Sequence, residues 1–193
     1  GIPMFIDKPL VNREEDLRWF LNKRKNGAHF LSSSSMRYCK EMEPFYRSHY
    51  ELGDLVYICQ PMPKKYETYG IHALEAVYPL LGPGFLSVQN TGTYEQTSVH
   101  LEHQSGCRVD IAQNLHMAGA GTLIIGTKGT RYIDDGDSYY AFKKQLDLFV
   151  HWLRTGEEPF PFEETVELMK LVILGLRSRE ENGRKILLSE LDL

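Results

Sequence analysis

His72 lies in a segment, Tyr69 to Gly84, that reads as an amphipathic helix beginning near Tyr66–Thr68 and stopped by Gly82-Pro83-Gly84. Thr68, His72 and Glu75 fall at i, i+4 and i+7 and share one face, while Leu74, Val77 and Leu81 repeat at core spacing on another. An imidazole among polar neighbours on such a helix suits proton transfer near neutral pH, because its unperturbed pKa lies there. The plainer reading is a histidine hydrogen-bonded within a core or at a helix start. A second candidate is Lys8 in Asp7-Lys8-Pro9, which follows an apolar run and so falls at the carboxyl end of a strand, where α/β sheets place ligands. Pro9 restricts the backbone of Lys8 to extended conformations and so aims its side chain. A lysine there can hold an anionic or polarised oxygen, or lower the pKa of a nearby alcohol; the alternative is a solvated lysine in a βα loop.

Other groupings carry less. His100, Glu102, His103, Cys107 and His116 form no compact ligand motif, and alternation puts His100, Glu102 and Arg108 on a polar sheet face, so no metal site is expected. Gly119-Ala120-Gly121 lacks a third glycine and precedes a strand, which excludes a dinucleotide fingerprint. Gly121 to Lys128 lacks the Gly-Lys-Ser/Thr order of a phosphate loop. Tyr139, Tyr140 and Trp152 read as core or interface.

The elements that must position these residues follow from periodicity. Ile2–Asp7 reads as a strand, and Asn12 caps a helix with Glu14, Glu15 and Asp16 in its first turn and Leu17, Phe20 and Leu21 inward. That helix stops at Gly27, and Ala28–Leu31 is a second strand, so a βαβ unit with a parallel pair is expected. Glu41–Leu52 has a helical pattern, and 54–60 a strand pattern. After Gly84, strands are expected at 85–91, 97–103, 107–115, 122–126 and 131–134, forming an antiparallel meander with one face covered by helices. Two helices, near 139–154 with Phe142, Leu146, Phe149, Val150 and Leu153 at helical spacing and near 163–179, precede an edge strand at 184–188.

At 193 residues, 42% hydrophobic and 25% charged, the chain has the composition of a globular domain, alone or with part of another. A net charge of −4 without a basic tract argues against nucleic acid as a partner, and no apolar run is long enough to span a membrane. Three cysteines without a CxxC pair fit a reducing, cytoplasmic compartment.

Several segments, in order, resemble the Gfo/Idh/MocA oxidoreductases (glucose–fructose oxidoreductase, inositol dehydrogenase and relatives). Asp7-Lys8-Pro9 is similar to the family's Glu-Lys-Pro, with Asp for Glu. Gly70-Ile71-His72-Ala73-Leu74-Glu75 followed by Leu81-Gly82 is similar to its Gly-x-His-x-x-Asp helix, and Gly126-Thr127-Lys128-Gly129 to its Gly-Thr-Lys-Gly turn. The final helix, with Ser178, Glu180, Glu181 and Gly183, and the strand around Ile186-Leu187-Leu188 resemble its C-terminal signature.

The resemblance implies an α+β fold: a large, mostly antiparallel sheet with helices on one face, like the C-terminal domains of dihydrodipicolinate reductase and glyceraldehyde-3-phosphate dehydrogenase. Residues 1–35 would be the closing remnant of a Rossmann domain and 36–193 the substrate-binding and oligomerisation domain. It further implies an NAD(P)-dependent dehydrogenase acting on a sugar, cyclitol or related hydroxyl compound. Lys8 and His72 match the family's catalytic pair, and Lys8 and Pro9 its cofactor contact. Arg37 lies in the substrate-facing segment. Thr68 stands where many members carry an Asp that orients the histidine, and it brings no charge. Arg37 and Thr68 are thus substrate-binding candidates.

The family's glycine-rich loop has no counterpart in this sequence. The chain by itself is therefore expected to be a fragment that binds little NAD or NADP and turns over nothing, with a homodimer or homotetramer formed through the sheet face. The alternative is a non-enzymatic sugar-binding or assembly module that lacks the cofactor domain.

Overall fold

The computed structural model describes residues 2–46, 49, 51–119, 121–134 and 136–193. The chain opens with a βαβ unit. Strand β1 (Met4–Phe5) pairs in parallel with β2 (Phe30–Leu31), and α1 (Glu14–Lys25) crosses between them. The three acids in the first turn and Lys23, Arg24 and Lys25 in the last complement the helix dipole as expected. Arg13, not Asn12, occupies the N-cap position, and no side chain caps it. Leu17 is fully buried; Phe20 and Leu21 are half-buried, with the Phe20 ring edge-on to Phe30 at 5.1 Å.

A 3-10 turn, Ser35–Tyr38, and the short helix α2 (Glu43–Tyr46) lead into the main sheet. Among the described residues the helical pattern expected at Glu41–Leu52 is met at Glu43–Tyr46; Arg47, Ser48 and Tyr50 lie outside the described residues. The sheet contains β3 (Leu55–Pro63), β4 (Phe85–Asn90), β5 (Gln96–His103), β6 (Arg108–Asn114), β7 (Thr122–Gly126), β8 (Thr130–Ile133) and β9 (Ile186–Leu187). Its order is β8-β7-β3-β6-β5-β4-β9. The expected antiparallel meander holds for β4-β5-β6, but β3 inserts between β6 and β7 and runs parallel to β6. The cause lies in α3 (Tyr66–Leu81), which carries the chain across the sheet from β3 to β4, and a parallel return of this kind needs a helical crossover.

Helices α3 and α5 (Phe162–Glu180) cover one sheet face, where Val99, Leu101, Val109 and Ile111 point inward by strict alternation. The outer face is polar around His100, whose Nδ1 lies 2.6 Å from Asp110. The Tyr66 ring is clamped between α3 and α5: a methyl group added at Gly175 would lie 2.6 Å from its hydroxyl oxygen. That hydroxyl donates to the Leu171 carbonyl at 3.0 Å. Ser178, in the C-terminal signature, accepts the Asn90 N–H at 2.8 Å and so fastens α5 to β4.

Helix α4 (Ser138–Thr155) departs from the periodicity argument. Phe142, Leu146, Val150 and Leu153 are exposed, whereas Ala141, Gln145 and Trp152 are buried. The helix lies at the rim, against the 3-10 turn and the small β1–β2 sheet, so only a narrow stripe is covered. Phe149 meets Phe5 edge-on at 5.6 Å, and Gln145 Nε2 donates to the Ser33 carbonyl at 2.6 Å. The main core runs from Leu17 and Phe30 through Leu74 and Val77 to Ile124 and Val172, and a smaller cluster of Leu31, Tyr38, Trp152 and Phe160 lies under α4. Among the described residues no helix is long and apolar enough to cross a membrane.

Candidate active site

β1 delivers Lys8. Ile6 N–H donates to the Leu31 carbonyl at 2.9 Å, which extends the parallel pairing one residue past the strand. The chain then turns out at Asp7, and the Lys8–Pro9 peptide is cis. Lys8 therefore stands at the carboxyl end of a parallel pair, with its ammonium 4.9 Å from the centre of the Tyr69 ring. The other side of the site comes from α3. Tyr69 and His72 are three residues apart on that helix, with ring centres at 4.7 Å.

His72 is 9% exposed, and its Nδ1 lies 2.6 Å from Ser34 Oγ. Ser34 is fully buried and caps the 3-10 turn, its Oγ accepting the Met36 N–H at 3.0 Å. A hydroxyl that already accepts one bond can still accept the Nδ1 proton or donate its own. In the first case Nε2 is bare and can take a proton; in the second Nε2 carries one. Ser34 can thus hold either tautomer of the neutral imidazole, and as an acceptor of Nδ1–H it serves both the neutral base and the imidazolium that forms when Nε2 takes a proton.

Behind Ser34 stands a buried ion-pair chain. Ser34 N–H donates to Glu75 Oε1 at 3.1 Å, Glu75 Oε2 accepts from Arg37 Nε, and Arg37 Nη1 donates to Glu164 Oε2 at 2.6 Å. The Arg37 guanidinium also lies 4.1 Å from the Phe160 ring centre, while its Nη2 has no hydrogen-bond partner among the described residues. Burial works to neutralise Arg37, but the two carboxylates hold it charged and raise its pKa. For Glu75, burial pushes the pKa up and exceeds the downward pull of Arg37 and of the Ser34 N–H.

The cations around His72 are Lys8 and Lys64. Lys64 follows β3 with φ of +67°, a left-handed backbone uncommon for a residue with a side chain, and its N–H donates to the Asn114 carbonyl at 3.1 Å. Its ammonium donates to the Tyr69 hydroxyl at 2.6 Å and lies 4.1 Å from the ring centre. Burial, and then Lys8, push the His72 pKa down to about 4; Lys64 adds to this and Asp7 opposes it. The imidazole is therefore neutral at pH 7. The hydrogen bond from Lys64 lowers the Tyr69 phenol.

Of the residues singled out in the sequence, the fold brings both Lys8 and His72 against Tyr69. Pro9 and the exposed Thr68 border a neighbouring cleft of 690 Å³ that also contains Glu15, Asp16 and Glu67. Among the described residues no hydrogen bond joins Thr68 to His72, and Ser34 takes the orienting position instead. Arg37 lies behind the histidine with two of its nitrogens occupied by carboxylates. Periodicity alone missed Ser34, Lys64 and Glu164. Tyr69, three residues before His72, was detectable from helical spacing.

The chemistry of the residues present is compatible with a polar, aromatic cofactor end such as a nicotinamide. Lys8, at the carboxyl end of parallel strands, has no carboxylate within ion-pair distance among the described residues, and a neutral imidazole lies against the same tyrosine ring.

No protein-family model and no curated relative matches the chain. Solved structures do. A myo-inositol dehydrogenase from Corynebacterium glutamicum superposes with a TM-score of 0.81 at 19% identity, over 97% of this chain and 73% of that one. An oxidoreductase from Agrobacterium radiobacter in complex with NAD+, L-tartaric acid and magnesium gives 0.80 at 15%, over 99% and 74%. The aldose-aldose oxidoreductase from Caulobacter crescentus complexed with glycerol gives 0.81 at 16%, over 96% and 72%. At these identities the likeness is one of fold. That fold, shared with inositol dehydrogenases and other Gfo/Idh/MocA-type oxidoreductases, is the one the motif resemblance implied.

Proposed function

We propose that this chain carries the substrate site of an NAD(P)-dependent oxidoreductase of the Gfo/Idh/MocA kind, acting on a hydroxyl-bearing carbon of a sugar, cyclitol or related small molecule. The observation that carries the reading is the convergence of Lys8 and His72 on Tyr69, at the carboxyl end of the β1–β2 pair. Lys8 and Pro9 would hold the nicotinamide end of the dinucleotide, which supplies the hydride acceptor. Hydride leaves an alcohol carbon readily only if the hydroxyl proton also leaves. Neutral His72 takes that proton at Nε2 while Nδ1–H donates to Ser34 Oγ. The Lys8 ammonium stabilises the developing alkoxide. Arg37 and Glu75 keep Ser34, and through it the imidazole, in place.

Residues 1–35 read as the closing part of a Rossmann domain and 36–193 as the substrate domain. The open outer face of the sheet is the surface through which two or four copies would pair. The three cysteines form no disulfide, which supports a cytoplasmic location. The sequence contains no glycine-rich strand–loop–helix, so the 193 residues alone are expected to bind dinucleotide weakly.

The test is NAD(P)H formation from a panel of sugars and cyclitols by the protein produced from its native gene. Turnover that falls by a factor of about 10² to 10⁴ in His72→Gln supports the reading. Turnover that survives His72→Gln and Lys8→Met would overturn it. Binding of a sugar with no turnover would favour the binding-module alternative.

A further inference from the structure

Two ammonium groups converge on the candidate site. Lys8 and Lys64 lie 4.9 and 4.1 Å from the centre of one tyrosine ring, and neither forms an ion pair with a carboxylate among the described residues. Lys64 is exposed and Lys8 half-buried, so water screens their mutual repulsion, but the two like charges beside the largely buried imidazole have no counter-charge within ion-pair distance among the described residues. Lys64 is not placed there by a flexible loop. It follows directly on β3, its N–H is tied to Asn114, and its backbone adopts a left-handed conformation that side chains other than glycine's disfavour. A general polyol site needs hydroxyl partners, and a single cation serves the alkoxide. The second cation is left over.

We propose that Lys64 binds an oxyanion on the substrate, a carboxylate or phosphate, so that the site takes an acidic polyhydroxy compound and not a neutral sugar. This rests on the oxidoreductase reading and adds the substrate class. Lys64 donates from Nζ to the anion and keeps or exchanges its bond to the Tyr69 hydroxyl, a point-charge contact of the kind lysine makes with phosphate and carboxylate. Burial is the main cause that holds His72 below its ordinary range and the cations add to it; the anion offsets the cations' share, so an acidic substrate would make the imidazole a somewhat stronger base on binding.

The experiment is isothermal calorimetry on the protein produced from its native gene, at fixed ionic strength and without dinucleotide. The probes are D-gluconate, D-glucose 6-phosphate and uncharged D-sorbitol. One or both anions are expected to bind at least about tenfold tighter than sorbitol. That preference should vanish in Lys64→Gln and persist in Lys64→Arg. Preference for gluconate identifies a carboxylate and preference for the sugar phosphate a phosphate. Equal binding of sorbitol, an anion preference that survives Lys64→Gln, or no binding of either anion overturns the proposal. Because the titration contains no dinucleotide, its failure leaves the turnover test of His72 and Lys8 untouched, and the converse also holds.

Discussion

Replacing Glu75 with glutamine is expected to destabilise the protein by about 3–5 kcal/mol, the usual cost of stripping one partner from a buried ion pair. The structure supplies the reason. Glu75 is 2% exposed, and its two oxygens receive donors from opposite sides, Arg37 Nε and the Ser34 N–H. A glutamine has one oxygen and one NH₂ group, so in either orientation a buried donor faces a donor. The Arg37 charge is then shared only with Glu164, which is itself partly exposed. For a chain of this size each kcal/mol moves the midpoint by about 2–4 °C, so a drop of about 6–20 °C is expected in thermal unfolding. Urea denaturation gives the free energy directly. The double variant Arg37→Met/Glu75→Leu removes both buried charges and should cost less than the two single changes added together, by about 0.5–3 kcal/mol. A Glu75→Gln penalty below about 1 kcal/mol, or strict additivity in the double variant, would refute the view that a desolvated pair anchors Ser34.

Other outcomes follow from the same geometry. His72 is held near pKa 4 when folded against 6.5 when free, so the unfolded state binds the proton first as pH falls. The stability it contributes is full above about pH 6.5 and lost towards pH 4, at most about 3 kcal/mol; urea midpoints of the wild type should fall across that window relative to His72→Gln, and parallel curves would contradict it. Ser34→Ala removes the Nδ1 partner, worth about 1 kcal/mol, and should lower kcat about fivefold and alter its pH profile, with partial recovery in Ser34→Thr; an unchanged profile would mean Ser34 merely packs. Gly175→Ala should destabilise by about 1–3 kcal/mol in spite of the better helix propensity of alanine, because its methyl meets the Tyr66 ring. A stabilised Gly175→Ala in thermal unfolding would show that the α3–α5 contact can yield.

Most of the elements, and the two residues proposed for the site, were legible in the chain's local pattern. Periodicity fixed α1, α3, α5 and the alternating strands, because a helix or strand with one buried face must repeat its apolar residues at 3.6 or 2. Gly82 ended α3, and the motif order around Lys8, His72 and Ser178 implied the fold that the coordinates show. Local pattern is silent about which elements meet. The insertion of β3 beside β6 and the exposure of the apolar stripe on α4 both depend on neighbours distant in the chain. The same holds for the site. Ser34 reaches His72 across 38 positions, Arg37 reaches Glu164 across 127, and Lys64 gains its place only because β3 ends beside Tyr69. Burial, charge pairing and the pKa of His72 are properties of those meetings. They were decided when the sheet and its two covering helices closed around the main core.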